Sequence, residues 1–125
     1  MLFRSTLALG TTLDLLFELH TGEESKTGFQ SLQDLIEAFE YALACPTLRP
    51  RGLMTMAPYT EDEAPIRRSF RSCARAFREL GDRFRPDAWD TLSMGMTNDY
   101  PLAIEEGSTM LRIGTAIFGE RDYSR

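Results

Sequence analysis

The chain has 125 residues, of which 42% are hydrophobic and 26% charged. This size and balance fit one globular domain and leave little room for a second. Fourteen basic residues against nineteen acidic ones give a net charge of −5, so the chain lacks the basic surplus that binds nucleic acid backbones. A small phosphorylated ligand remains compatible with this charge.

The chain carries two cysteines and a single histidine. Cys45 and Cys73 form no Cys-x-x-Cys pair and stand far from His20 in the sequence, so we expect no disulfide and no metal site. Both lie in apolar, helix-like patterns that are typical of buried free thiols. The apolar stretch near the N-terminus is too short for a membrane span and lacks a cleavage site. We therefore expect a cytoplasmic protein with no membrane partner.

Short apolar runs alternate with amphipathic segments along the chain. The first run, Leu13–Leu19, predicts a buried strand followed by a polar loop. Apolar residues at spacings of three and four then predict a helix with Ser31 as its N-cap and Pro46 beyond its end. The run Arg51–Met56 predicts a second buried strand.

A long amphipathic helix follows the second strand. Thr60 and Glu63 have the spacing of a capping box, whereas Pro65 suits the first helical position, so the start is open by one turn. Seven apolar residues form one stripe, and arginines interspersed with acidic residues form a solvated surface on the other faces. The stripe residues are Ile66, Phe70, Cys73, Ala74, Phe77, Leu80 and Phe84.

The last part of the chain predicts two further strands. Thr91–Gly95 forms the third, Asn98 or Asp99 caps a brief helix, and Gly107 ends that helix. Thr109–Ile113 forms the fourth strand. This alternation of buried strands and helices predicts βα units in a parallel sheet.

The sequence contains none of the usual catalytic motifs. There is no Gly-x-Ser-x-Gly, no Gly-x-Gly-x-x-Gly and no Walker loop, and His20 is expected to be a loop histidine. Two glycine-bearing turns, 93–99 and 112–119, each lead from a strand end into a helix. Glycine lets the backbone approach a ligand, and free N–H groups at a helix start favour an anion. These turns are either a phosphate site or two tight connections.

Several segments together form a specific pattern. They are Glu23-x-Ser25-Lys26-x-Gly28-Phe29, Arg51-Gly52-Leu53-Met54-Thr55-Met56-Ala57-Pro58, Ser93-Met94-Gly95-Met96, Gly107–Gly119 and Arg121-Asp122-Tyr123-Ser124. From about residue 13 to the end, the chain resembles the second half of the pyridoxal phosphate homeostasis proteins. That family is a pyridoxal phosphate-binding α/β barrel, related to the N-terminal domain of alanine racemases and linked to vitamin B6 homeostasis rather than to an established turnover.

The resemblance implies half of a TIM-type (β/α)8 barrel, with about four βα units that correspond to strands 5–8. Residues 13–125 would form this half, and residues 1–12 match nothing and stay unassigned. In the family a lysine on the first strand forms the Schiff base with the cofactor, and that strand is missing here. The only lysine, Lys26, matches a later motif and is not its counterpart. We therefore expect a truncated or mis-started reading frame, or one half of a split protein.

The resemblance also assigns five cofactor-binding residues. Gly114 and Thr115, together with Thr97, would hold the cofactor phosphate, and Arg112 would face the pyridine nitrogen. Ser93 would be a further contact. A guanidinium cannot accept a proton and leaves that nitrogen unprotonated, which weakens the cofactor as an electron sink.

These expectations combine into one leading interpretation. The chain would bind pyridoxal phosphate without a covalent bond and would not be an enzyme. The alternatives are a fragment of a fold-type III racemase or decarboxylase, which would need the missing lysine, and a non-functional remnant. Because four strands cannot close a barrel, we also expect self-association or pairing with a missing N-terminal half.

Overall fold

A computed structural model describes residues 10–22 and 28–114 of the chain. Strands and helices alternate along these residues, as the sequence predicts. The elements are β1 (Leu13–Glu18), α1 (Leu32–Leu43), β2 (Leu48–Met54), α2 (Glu63–Phe84), β3 (Thr91–Met96), α3 (Tyr100–Glu105) and β4 (Met110–Arg112). The strands form one parallel sheet in the order β1-β2-β3-β4.

The predicted start of α1 is confirmed. Ser31 has an extended backbone, and its hydroxyl accepts the N–H of Asp34 at 3.1 Å. This bond satisfies one of the free donors in the first helical turn.

Strand β2 begins three residues before the predicted start and ends two residues before the predicted end. Its first residues pair only with β1, since pairing with β3 begins at Gly52. The β1–β2 register shifts directly after Pro50, between Leu15 and Leu16, and such an irregularity tolerates a residue without an N–H. A proline in this position conceals the start of the strand from sequence reasoning.

The start of α2 differs from both expected alternatives. Asp62 is the N-cap, and its carboxylate accepts the N–H of Ala64 at 3.1 Å. The expected capping box of Thr60 and Glu63 is wrong, because the Thr60 hydroxyl accepts the N–H of Asp62 at 3.2 Å and so shapes the turn before the helix. Pro65 lies in the first turn, where its missing N–H costs nothing.

The hydrophobic core lies between one face of the sheet and the helices. Its largest fully buried apolar side chains are Phe39, Phe70, Leu35, Leu53, Leu80 and Met94. Cys45 and Cys73 are buried free thiols, as predicted. Burial raises the pKa of Cys73 to about 12, so this thiol is protonated at neutral pH.

The other face of the sheet carries a row of residues across all four strands. Glu18 pairs with Met54, Met54 with Ser93, and Ser93 with Met110, and partners in register point to the same side. Met110 is 46% exposed. In the part of the chain described, no helix combines the length and apolar character needed to cross a membrane.

Candidate functional site

Because the strands are parallel, their carboxyl ends meet at one edge of the sheet, where α/β proteins commonly bind ligands. Thr97 directly follows β3, Arg112 is the last residue of β4, and Gly114 comes two residues later. Three of the five predicted residues therefore lie at this edge. Ser93 lies inside β3 and is 2% exposed, and Thr115 is outside the described residues.

Arg112 has a half-buried guanidinium group. Its Nη2 donates to the carbonyl of Thr55 at 2.6 Å, while its Nε is buried without a hydrogen-bond partner in the described structure. Burial lowers the pKa of Arg112, and the negative charges of Asp99 and Glu18 oppose this shift. An orphan buried N–H is costly, so a ligand acceptor at Nε would be stabilising.

The residue whose carbonyl binds Arg112, Thr55, belongs to a network of buried hydroxyl groups. Thr55 is fully buried, and its hydroxyl donates to the carbonyl of Leu19 at 2.7 Å. The Thr21 hydroxyl, 2.7 Å away, donates to Thr55, and Ser69 donates to the Thr21 carbonyl at 3.0 Å. The network joins the ends of β1 and β2 to α2, and so fixes the carbonyl that holds Arg112. Sequence reasoning missed it because one threonine in an apolar run predicts only a strand.

The end of β3 leaves regular strand geometry. Gly95 has φ +106°, and a Cβ there would lie 2.7 Å from the Cβ of Ala103. The β3–β4 register shifts between Ser93 and Met96. Only glycine fits this bend, which directs the chain into the turn that contains Thr97.

Asp99 closes that turn. It occupies the N-cap position of α3, as one of the two expected caps, but its side chain makes no capping bond. Its carboxylate instead accepts the backbone N–H of Met96 at 2.8 Å. The carboxylate therefore stabilises the strand end that precedes Thr97. Sequence spacing offers no signal for this contact.

Side chains attach β4 to β3. The Thr109 hydroxyl accepts the N–H of Leu92 at 2.7 Å, and the Ser108 hydroxyl lies 2.7 Å from the carbonyl of Met94. Gly107, with φ +105°, follows the end of α3 as predicted. These contacts place Arg112 beside the ends of the other strands.

Gly114 is exposed, and a Cβ added to it would have no atom of the described residues within 4 Å. The expected helical turn after Gly114 lies outside the described residues.

His20 follows β1, and its Nδ1 is buried with no hydrogen-bond partner in the structure described. Within residues 10–22 and 28–114, no group of three His, Cys, Asp or Glu side chains has the arrangement of a metal site. Lys26 lies outside these residues.

Comparison with known proteins identifies related sequences along nearly the whole chain. The model of the family described as the alanine racemase N-terminal domain matches residues 2–122. The pyridoxal phosphate homeostasis protein of Aquifex aeolicus is 43% identical over 113 residues, which are 88% of this chain and 48% of the relative. Its Escherichia coli K12 counterpart is 45% identical over 115 residues, 90% of this chain and 47% of the relative. The chain thus spans about half the length of these curated relatives.

Solved structures share the fold. An unknown protein from Bifidobacterium adolescentis superposes with a TM-score of 0.84 at 34% identity, covering 93% of this chain and 47% of that one. PipY of Synechococcus elongatus, solved with pyridoxal phosphate bound, gives a TM-score of 0.80 at 29% identity, covering 94% of this chain and 54% of that one. The parallel sheet with its alternating helices is therefore an α/β fold of the TIM-barrel type.

Proposed function

This chain belongs to the alanine racemase N-terminal domain family, and on that premise we propose that it binds pyridoxal phosphate and serves in vitamin B6 homeostasis. Its curated relatives carry the name of pyridoxal phosphate homeostasis proteins. PipY, which has this fold, is solved with pyridoxal phosphate bound.

The observation that carries this proposal is the orphan Nε of Arg112. A buried donor that finds no acceptor among the described residues fits a ligand that brings an acceptor of its own. The pyridine nitrogen of pyridoxal phosphate is such an acceptor when it is unprotonated. The hydrogen bond from Arg112 to the Thr55 carbonyl positions the guanidinium before the ligand binds.

The phosphate would be held beside Arg112 by Thr97, Gly114 and Thr115. Thr97 supplies a hydroxyl at the end of β3, and Gly114 supplies backbone that no other described residue covers within 4 Å of its Cβ position. Both features suit a phosphate, which accepts several hydrogen bonds and needs close approach of the main chain. Ser93 would contact the ligand from inside β3.

We propose that this chain does not itself carry out turnover. Bound pyridoxal phosphate supplies an electron sink, and it does so best with a protonated ring nitrogen. Arg112 only donates hydrogen bonds and would keep that nitrogen unprotonated. A second candidate role, part of a racemase-type enzyme, is favoured by the family match alone, and amino-acid turnover by the chain would support it.

The four strands would correspond to strands 5–8 of an eight-stranded barrel, with residues 13–125 as this half. The family match begins further toward the N-terminus, at residue 2, so residues 2–12 would lead into the half barrel. Parallel sheets are usually covered on both faces, and here Leu16 is 37% and Met110 is 46% exposed. β1 and β4 are the two edges of the sheet formed by the described strands. A second copy or a complementary half barrel would cover the face and the edges.

Calorimetric titration of the chain with pyridoxal phosphate tests the proposed function. We expect Arg112→Met to weaken binding by about tenfold or more, since it removes a charge-assisted hydrogen bond. Arg78→Met, on the exposed side of α2, is the matched control and should bind like the unchanged chain. Equal affinity of Arg112→Met and the unchanged chain would show that the assignment of Arg112 is wrong.

A further inference from the structure

Asp99 lies in the turn between β3 and α3 and is only 5% exposed. Its carboxylate Oδ1 accepts the backbone N–H of Met96 at 2.8 Å. Its own backbone N–H donates to the Met96 carbonyl at 3.1 Å. The residue thus closes the turn twice, once through its side chain and once through its main chain. Thr97 lies inside the closed turn.

The direction of the Asp99 side chain is unusual for its position. An aspartate at a helix N-cap ordinarily accepts an N–H from the first helical turn. Here that capping bond is absent, and the carboxylate points back to the strand that precedes the helix. It therefore stabilises the end of β3 rather than the start of α3.

The end of β3 has a particular need for such a bond. The backbone passes through a positive φ at Gly95, one residue before Met96, and the β3–β4 register shifts in the same stretch. A strand end that leaves regular pairing loses the ladder that would otherwise fix its direction. The Asp99 carboxylate supplies a fixed acceptor at this point.

The negative charge of Asp99 also affects Arg112, at the end of β4. Burial disfavours the charged guanidinium of Arg112, and the negative charge of Asp99 opposes that effect. One buried carboxylate therefore connects the end of β3, which carries Thr97, with the end of β4, which carries Arg112.

We propose that Asp99 is a positioning residue for the ligand phosphate: its carboxylate fixes the Met96–Asp99 turn so that Thr97 meets the phosphate. This inference rests on the proposed function, which assigns the phosphate to Thr97. Asp99 acts through that turn and does not itself bind the anion, since two negative groups in contact would repel each other.

The test compares two ligands that differ only in the phosphate. Dissociation constants for pyridoxal phosphate and for pyridoxal are measured by calorimetry on the full chain, and their ratio is the phosphate preference. Asp99→Ala removes the acceptor, while Asp99→Asn keeps an amide oxygen that can still accept the Met96 N–H. Asp82→Asn, on the exposed side of α2, is the control. Circular dichroism checks that each variant is folded.

We expect Asp99→Ala to lower the phosphate preference about tenfold or more, because the released turn would lose the charge-assisted hydrogen bond between Thr97 and the phosphate. Asp99→Asn should keep the preference to within about threefold, since a neutral acceptor still closes the turn. General destabilisation would weaken both ligands alike and leave their ratio unchanged. Should Asp99→Ala not fold, Asp99→Glu takes its place, because it keeps the charge and displaces the acceptor.

Two results overturn the inference while the proposed function stands. In the first, Asp99→Ala, or Asp99→Glu in its place, keeps the phosphate preference of the unchanged chain. In the second, Asp99→Asn loses as much of the phosphate preference as Asp99→Ala or its substitute. If the unchanged chain binds pyridoxal phosphate no better than pyridoxal, the assigned phosphate site is wrong, and the role of Asp99 is wrong with it.

Discussion

Replacement of Gly114 by aspartate separates the binding of a phosphate from the stability of the fold. Within the described residues, a Cβ at this position meets no atom within 4 Å, and the residue is exposed, so the new side chain meets no described neighbour. The added carboxylate would lie beside the bound phosphate. Two unit charges about 5 Å apart at an effective dielectric constant of about 20–30 repel by about 2–3 kcal/mol. This corresponds to a loss of affinity of about 30- to 150-fold.

Gly114→Asn is the matched control, because it has nearly the same shape without the charge. Calorimetry with pyridoxal phosphate at fixed salt measures the affinity of both variants, and thermal unfolding measures their stability. We expect equal melting temperatures and much weaker binding of the aspartate variant. If the aspartate and asparagine variants bind with equal affinity, the ligand phosphate is not at Gly114, and the reasoning fails.

Three further predictions follow from the buried network, the single lysine and the open sheet face. Thr55→Val removes the donor to the Leu19 carbonyl and should lower the free energy of unfolding, measured by urea denaturation, by about 1–3 kcal/mol. Thr55→Ser keeps a hydroxyl and should lower that free energy less, so equal stability of the two variants would contradict the role of the hydroxyl. Borohydride reduction with a slight excess of pyridoxal phosphate, followed by peptide mapping, should leave Lys26 without stoichiometric label, and full labelling would make it a functional residue. Light scattering should show a dimer or larger species, and Met110→Lys should weaken it by placing a charge where an apolar side chain is exposed on the open sheet face. A compact monomer of the unchanged chain would refute self-association.

The elements that the sequence predicts well are those whose signals are local. Ser31 and Gly107 bound their helices as expected, because a cap needs only a side chain or a backbone conformation within one turn of the helix. The alternation of strands and helices follows from apolar periodicity, which the burial of each segment imposes.

The features that the sequence does not predict depend on tertiary contacts. Pro50 is accommodated in β2 beside a shift in the β1–β2 register. The Asp99 carboxylate binds the N–H of Met96 at a strand end rather than an N–H of its own helix, one residue after the positive φ of Gly95. Neither outcome is contained in a local pattern. The predicted positions of Thr97 and Arg112 came from resemblance to a family, and periodicity alone would have identified only two glycine-bearing turns.

The state of Arg112 connects stability with binding. Burying a guanidinium costs free energy, and the orphan Nε adds the penalty of an unmade hydrogen bond, about 1–3 kcal/mol for a buried donor. The Thr55 carbonyl, Asp99 and Glu18 offset only part of this cost, since the pKa of Arg112 is still lowered. A ligand that supplies an acceptor to Nε removes the remaining penalty, so binding should raise the stability of the fold in proportion to the logarithm of ligand concentration. By the same argument, Arg112→Met should leave the free chain at least as stable as before while weakening its affinity for the ligand. A marked loss of stability in that variant would show that Arg112 serves the fold rather than the site.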